Sequence, residues 1–449
     1  MYAADRLREH GHTVAVLEKT GRVGGHSETY RSGLKFYNIG VRVYRDTPLL
    51  RQVFAKYGVP LERVDNHLPN RYFDSRTGER SAYEIPPPAA ILESMLRYIF
   101  LLRTRYGYLH EPGIHLPNPV PEDLLMPFGK WLERHGLEKK YAPLTHYLQG
   151  MGSVSRITAL YAFKNLRAHI AESVLFNSFV APVTGVEHLY HRMAERLGSD
   201  LHLSATLRSV ARAPGRPIEV IADTPAGALR ITCDRLLVCC PPLLDNLAPL
   251  DLSPTERDLF GRFKYRHYST AIAEIEGIPT DTIHSNVAAD PVNDDIHPSI
   301  YTIMPTPFPG RYNVLYGSDV GLPEETIKAH MERDINKLNF GPGRPPVEFK
   351  GFDLFKSHLP YDLHVSPDDI RAGFYDRLNA LQGQRDTWYL GAAMDTHDTA
   401  AVWAHAEATL DAMRGERWYF PPRKPPGRLS RAFSTLGALR ERIHGITQR

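Results

Sequence analysis

The sequence predicts an α/β protein whose main parallel sheet is assembled from segments far apart in the chain, with an α+β domain set between them. Three observations carry this. The chain opens on a helix that feeds straight into an apolar strand. Strands and turns replace helical patterning after Gly185, and a strand, a glycine turn and a helix close the ordered pattern in "DTWYLGAAMDTHDTAAVWAHAEATLDAM". The 449 residues are 42% hydrophobic and 23% charged, the composition of a globular chain rather than a disordered or repetitive one. A formal net charge of +3 gives no reason to expect a nucleic-acid partner.

The first helix spans "YAADRLREH" and ends at Gly11, because glycine tolerates the left-handed cap. "TVAVLEK" has the length and apolarity of a buried strand. Helix followed by strand is half of a βαβ unit, and a parallel strand has to precede the helix. "RVGGHSETY" reads as a loop whose Gly24 and Gly25 admit close approach of backbone to a bulky ligand.

A largely helical insertion is expected from about 60 to 175, with helices in 90–104, "PFGKWLERHGL" and "ITALYAFKNL". "VEHLYHRMAERLG" is an amphipathic helix, and the turn at 226–227 suits a hairpin. "RLLVCCPP" places Cys239 and Cys240 in a buried strand. Three cysteines without a CxxC spacing imply a reducing, cytoplasmic setting and no disulfide framework. No run of eighteen apolar residues marks a membrane span.

Glu18 ends the second strand of the expected Rossmann-like unit, where dinucleotide folds place a carboxylate on a ribose diol. With "EK", a short spacer and "RVGG" after it, the sequence resembles the flavin-dependent amine oxidase, phytoene desaturase and polyenoic fatty acid isomerase superfamily. The resemblance is good from Tyr2 to about Val43 and returns in two later blocks. It implies non-covalent FAD. By position, Glu18 would hold the adenosine ribose, while Arg22, Gly24, Gly25, His26 and Ser27 would surround the pyrophosphate and ribityl chain. "FYNIGVRVY" would lie near the isoalloxazine, with Asn38 where the family has Asp, and Gly40 retained.

In the second block, "ATLRSVAR" to "ITCDRLLVCCPP", Leu207 would contact the adenine through its main chain. In the third, a strand ends at Gly391 and the helix beginning at Thr399 would point its N-terminus at the flavin, where its dipole favours negative charge. Ala392 follows that glycine where the family has an acid, leaving Asp395 or Asp398 to substitute. The superfamily's G-x-G-x-x-G strand and loop would precede Met1, so the sequence reads as a truncated gene model or late start, with a natural loop-less variant as the alternative.

The domain expectation is a discontinuous FAD-binding domain at 1–60, 176–245 and 381–415, and a substrate domain at 61–175 and 246–380. A basic tail, 416–449, carries seven Lys/Arg against one Glu in its last thirty residues and reads as solvated or subunit-packing, with peripheral membrane contact as the alternative. The resemblance implies hydride removal from an apolar or lipid-like small molecule, with or without its return as in double-bond isomerisation of a fatty acid. Amine oxidation and a non-catalytic interaction fold are the alternatives. "RHYSTAIAEIEG" lacks the lysine that helps oxygen react in amine oxidases, and no cysteine follows Cys240 to attach flavin covalently. Arg71, Arg103 and Arg105 are the cations considered for anchoring a carboxylate. His188 and His191 have a metal-ligand spacing, with solvated helix polarity the favoured reading and no metal expected. Asp398 is read as a helix N-cap.

Overall fold

Helix Tyr2–Glu9 forms over Ala3 and Ala4 with Asp5 in its first turn, and stops at His10 and Gly11, whose φ of +82° is left-handed. Its buried face meets the last helix, Thr399–Arg414. Tyr2 stacks on Trp403 at 5.0 Å, and Tyr2 Oη and Arg6 Nε donate to Glu407 at 2.6 and 2.7 Å. The computed structural model describes residues 1–64, 68–138, 146–291 and 293–415. The basic tail lies outside the described residues.

The first helix leads into strand Val16–Leu17, shorter than the seven-residue apolar run because its one partner in the ladder is the two-residue strand Leu201–His202, which runs parallel to it. Leu236–Val238 pairs, also in parallel, with Thr387–Tyr389. Leu17, Val238 and Tyr389 share one apolar core, and Tyr2, Trp388, Leu390 and Trp403 share another. The antiparallel strands Thr206–Ala211, Ile218–Thr224 and Gly227–Cys233 form a three-stranded sheet whose last two members are joined by the expected hairpin. It is fastened to the parallel pair by Arg212, which has no exposed side-chain surface, donates to Thr387 Oγ1 at 3.3 Å and Tyr389 Oη at 3.4 Å, and pairs with Glu256 at 2.7 Å and Asp251 at 2.8 Å.

The larger sheet has seven strands. In order they are Glu348–Ser357, Lys264–Glu276, Arg311–Ser318, Ser299–Pro305, Ile283–Asn286 and Asn70–Phe73, with Tyr361–His364 paired to the start of Lys264–Glu276. Alternation along each strand separates its faces. Ala271, Ala273, Ile303, Val314 and Tyr316 pack on Ile327, Met331 and Ile335 of helix Glu324–Asn336. Tyr268, Tyr301, Met304 and Leu315 point the other way.

Segment 60–175 carries the helices expected of a largely helical insertion together with two short strands. Helices Pro88–Arg105, Phe128–Arg134, Ala159–Asn165 and Ala168–Leu175 are present. Leu61–Arg63, however, pairs with Phe179–Pro182, and Asn70–Phe73 is an edge strand parallel to Ile283–Asn286. Cys239 and Cys240 are exposed, not buried in a strand, because the ladder ends at Val238 and they occupy the turn beyond it. No helix among the described residues is long and apolar enough to cross a membrane.

Candidate functional site

The loop after the first parallel strand is built around its own glycines. Glu18 is fixed at both ends of its peptide, its N–H donating to His202 O and its carbonyl accepting from Ala205 N, each at 2.9 Å. Its Oε1 accepts from Thr20 N at 2.8 Å and Thr20 Oγ1 at 2.7 Å. Arg22 turns back on the loop, donating to Val23 O at 3.0 Å and to Gly25 O, and pairing with Glu28 at 3.1 Å. The bend at Gly24 and Gly25 is left-handed, with φ of +100° and +55°. A side chain on Gly24 would strike Ser27 O at 2.9 Å, whereas one on Gly25 would meet no protein atom within 4 Å.

The bend opens a hairpin in which Ser27 pairs with Gly40. Val41 N donates to His26 O at 3.0 Å, bringing the chain so close at Gly40 (φ +72°) that a Cβ there would lie 2.3 Å from His26 O and 3.1 Å from His358 Nε2. Asn38 faces the helix side: its Oδ1 accepts from Val186 N at 3.0 Å and Thr29 Oγ1 at 3.2 Å, holding the hairpin to helix Glu187–Leu197.

The third block arrives beside the first two. Leu390 N donates to Val238 O at 2.9 Å, and a Cβ on Gly391 (φ +110°) would contact Cys239 O at 3.4 Å. Cys240 lies within electrostatic reach of Glu18 and Lys19. Asp398 caps the helix at Thr399, accepting from Ala400 N at 3.1 Å, and also pairs with Arg45 at 2.9 Å. That helix tip therefore already carries a neutralised carboxylate. Asp395 turns inward, paired with Lys164 at 2.5 Å and with Arg167. Burial pulls the Lys164 ammonium down to about 7, against the opposing pull of Asp395. A small cleft beside this pair is lined by Tyr161, Lys164, Asp362, Ala392, Asp395 and His397.

These segments meet the large sheet through a run of rings. His26 lies 4.3 Å from His358 and 5.8 Å from Tyr361, and His397 lies 4.2 Å from Tyr361. Tyr268 touches both, stacking on His358 at 5.1 Å and packing on Tyr361 at 5.1 Å. Burial pulls His26 down to about 4, helped by His397 and Arg22, so the imidazole is neutral at pH 7. His358 is held well below its ordinary value, first by burial. Its Nε2 is buried and makes no hydrogen bond among the described residues.

Glu18, the Gly24–Gly25 bend, Gly40 and Gly391 thus converge, and Leu207 follows two residues after Ala205, which is bonded to Glu18. The residues that sequence reasoning missed, Tyr268, His358, Tyr361 and Arg42, come from the opposing sheet or the strand end beyond Gly40. Their one sequence signal is an unusual density of aromatic and histidine residues. Of the cations considered as anchors, Arg103 pairs with Glu172 at 2.6 Å, and Arg71 and Arg105 are exposed. The substrate-sheet strand starts earlier than "RHYSTAIAEIEG", and the residue that opens it, Lys264, is exposed. His188 bonds Thr184 at 2.6 Å, and the described residues contain no group of three or more ligands suited to a metal.

Open space over a left-handed glycine, an orphaned buried imidazole nitrogen and a carboxylate at a parallel-strand end fit a flat dinucleotide. The fold and site define a flavoprotein class: a parallel-stranded nucleotide unit facing an antiparallel substrate sheet. The profile of the flavin-containing amine oxidoreductase family matches residues 1–391, and the chain belongs to that family. By this membership and its relatives it is a flavin-dependent oxidoreductase. It is 31% identical over 427 residues to the beta-cyclopiazonate dehydrogenase of Aspergillus oryzae, covering 92% of this chain and 90% of the relative. It is 30% identical to the FAD-dependent oxidoreductase oblC of Cochliobolus heterostrophus, with 91% and 87% covered. Among solved structures, a CLA-producing fatty acid isomerase from P. acnes superposes with a TM-score of 0.75 at 19% identity, covering 92% of this chain and 95% of that one. A putrescine oxidase double mutant gives 0.64 at 18%, covering 92% and 96%. These two likenesses speak for the fold.

Proposed function

We propose that the chain binds FAD non-covalently and takes a hydride from an apolar, ring-bearing small molecule. In this reading Glu18 holds the ribose, and Leu207 the adenine. Arg22, Gly24, Gly25, His26 and Ser27 shape the pyrophosphate and ribityl passage, while Asn38, Gly40, Gly391 and Thr399 frame the flavin. The carrying observation is the contact of both His26 and His397, from opposite ends of the chain, with Tyr361 of the opposing sheet. FAD supplies the hydride acceptor. The protein's own rings supply a dry, flat wall, and its neutral imidazoles leave that wall uncharged.

Dehydrogenation is favoured over amine oxidation. Asp362, the carboxylate beside Tyr361, is already bonded to Arg266, and no carboxylate pairs with Arg42 among the described residues, so an ammonium would meet net positive charge. The name of the Aspergillus oryzae relative, a dehydrogenase, points the same way. Whether the hydride returns at another carbon is decided by product analysis.

The test is purification with added FAD, followed by anaerobic addition of a panel of apolar ring compounds that includes β-cyclopiazonate. A yellow protein whose blue absorption bleaches with one of them is expected. A colourless protein that FAD does not stabilise against heat overturns the reading.

A further inference from the structure

Arg42 follows Gly40 by two residues and carries a guanidinium with no carboxylate partner among the described residues. Its surroundings are rings and a thioether. It sits 5.5 Å over the Tyr37 ring and contacts Met304 Sδ, and its charge is felt by Tyr37, Tyr268 and Tyr301. The Tyr37 hydroxyl is buried and makes no hydrogen bond among the described residues. A guanidinium stays charged at any physiological pH, so placing one among apolar groups is costly unless something completes it. A half-buried guanidinium with no oxygen acceptor and a buried phenol with no partner, both among the described residues, thus stand together on the ring-lined side of the sheet. Tyr268 links them to the rings that carry His26 and His397.

We propose that Arg42, with Tyr37 beside it, is the substrate anchor, and that it selects molecules bearing an anionic oxygen, carboxylate or enolate, on a flat unsaturated body. The planar fork of arginine accommodates two oxygens at once, and the tyrosine face packs the body. This rests on the flavin reading, since the ring wall is where the substrate would lie against the cofactor. A purely structural cation–π contact with Tyr37 would need no ligand and would leave binding blind to charge.

The test uses FAD-loaded protein and two probes of equal shape, 2-naphthoate and neutral 2-naphthylmethanol, titrated by calorimetry after flavin uptake has been read by absorbance. The wild type is expected to hold the naphthoate about tenfold tighter or more, the worth of one charge-assisted bond. Arg42→Gln should erase that preference while leaving the naphthylmethanol affinity and the flavin spectrum in place. Arg42→Lys, which keeps the charge and loses the fork, should weaken naphthoate several-fold and leave naphthylmethanol unchanged, and this variant carries the test if Arg42→Gln does not fold. Naphthoate that fails to bind, equal affinities in the wild type, or a preference that survives Arg42→Gln overturns the anchor alone. A chain that takes up no FAD overturns the functional reading and the anchor with it.

Discussion

Lys164 Nζ stands 2.5 Å from Asp395 Oδ1, with neither side chain more than 1% exposed. Arg167 shares the same carboxylate. One negative charge therefore holds two cations in the interior, and it fastens the loop after Gly391 to helix Ala159–Asn165. Removing it leaves Arg167 uncompensated and lets Lys164, already pulled down to about 7 by burial, shed its proton. Asp395→Asn is expected to cost about 3–5 kcal/mol, the range for breaking a buried pair from one side. Thermal melting measures this, with Lys130→Met as the control. The Lys130–Glu133 pair has side chains 63% and 33% exposed, and its loss should move the midpoint hardly at all. Equal midpoints for the two variants would show that the buried cluster holds nothing together.

Acid should loosen the fold through its histidines. Burial pulls His26, His115 and His405 each down to about 4. In the unfolded chain they titrate near 6.5, so between about 6.5 and 4 the unfolded state binds more protons. The stability they contribute is complete above pH 6.5 and is lost as pH falls toward 4. A drop on the order of 1 kcal/mol per histidine is expected between pH 7 and pH 5. Denaturant titrations at the two pH values read it directly, and an unchanged midpoint would mean these rings are protonated in the folded protein.

Glu18 tests the adenine end of the cofactor site. Its Oε1 is occupied by Thr20, which aims the carboxylate and leaves Oε2 to accept from a ribose. Hydrogen bonds to a charged group contribute about 1.5–3 kcal/mol, so Glu18→Ala should weaken FAD by about 10- to 100-fold in a flavin-fluorescence titration. Thr20→Val should weaken it less, through lost aim. Wild-type affinity in Glu18→Ala would remove the carboxylate from the site.

What the sequence made legible was local. Glu18, the Gly24–Gly25 bend and the Asp398 cap each depend on neighbours within a few residues, and their residue types fit few other backbone roles. Asn70–Phe73 was hidden because an edge strand with Asn70 and Arg71 exposed shows no apolar alternation, and its partner Ile283–Asn286 is remote in sequence. Cys239 and Cys240 look like strand because the apolar run continues through them, yet the ladder stops at Val238. Arg42, His358 and Tyr361 acquire meaning from tertiary contact alone, with rings contributed by segments that no spacing rule connects.

Gly25 and Gly40 separate folding from cofactor binding. Both have left-handed backbone, so alanine strains each by about 1–2 kcal/mol. At Gly40 the new methyl also meets His26 O at 2.3 Å, a backbone atom that cannot swing away without breaking the Val41 to His26 bond. Gly40→Ala is therefore expected to lower the melting midpoint of the flavin-free protein well beyond the strain alone. At Gly25 the methyl meets no protein atom within 4 Å, so the flavin-free fold should lose little more than the strain. That same methyl would project into the space assigned to the cofactor, so Gly25→Ala should bind FAD at least tenfold more weakly, as read by flavin fluorescence. If Gly25→Ala binds FAD as the wild type does, the open side of the bend faces solvent, and the cofactor runs elsewhere.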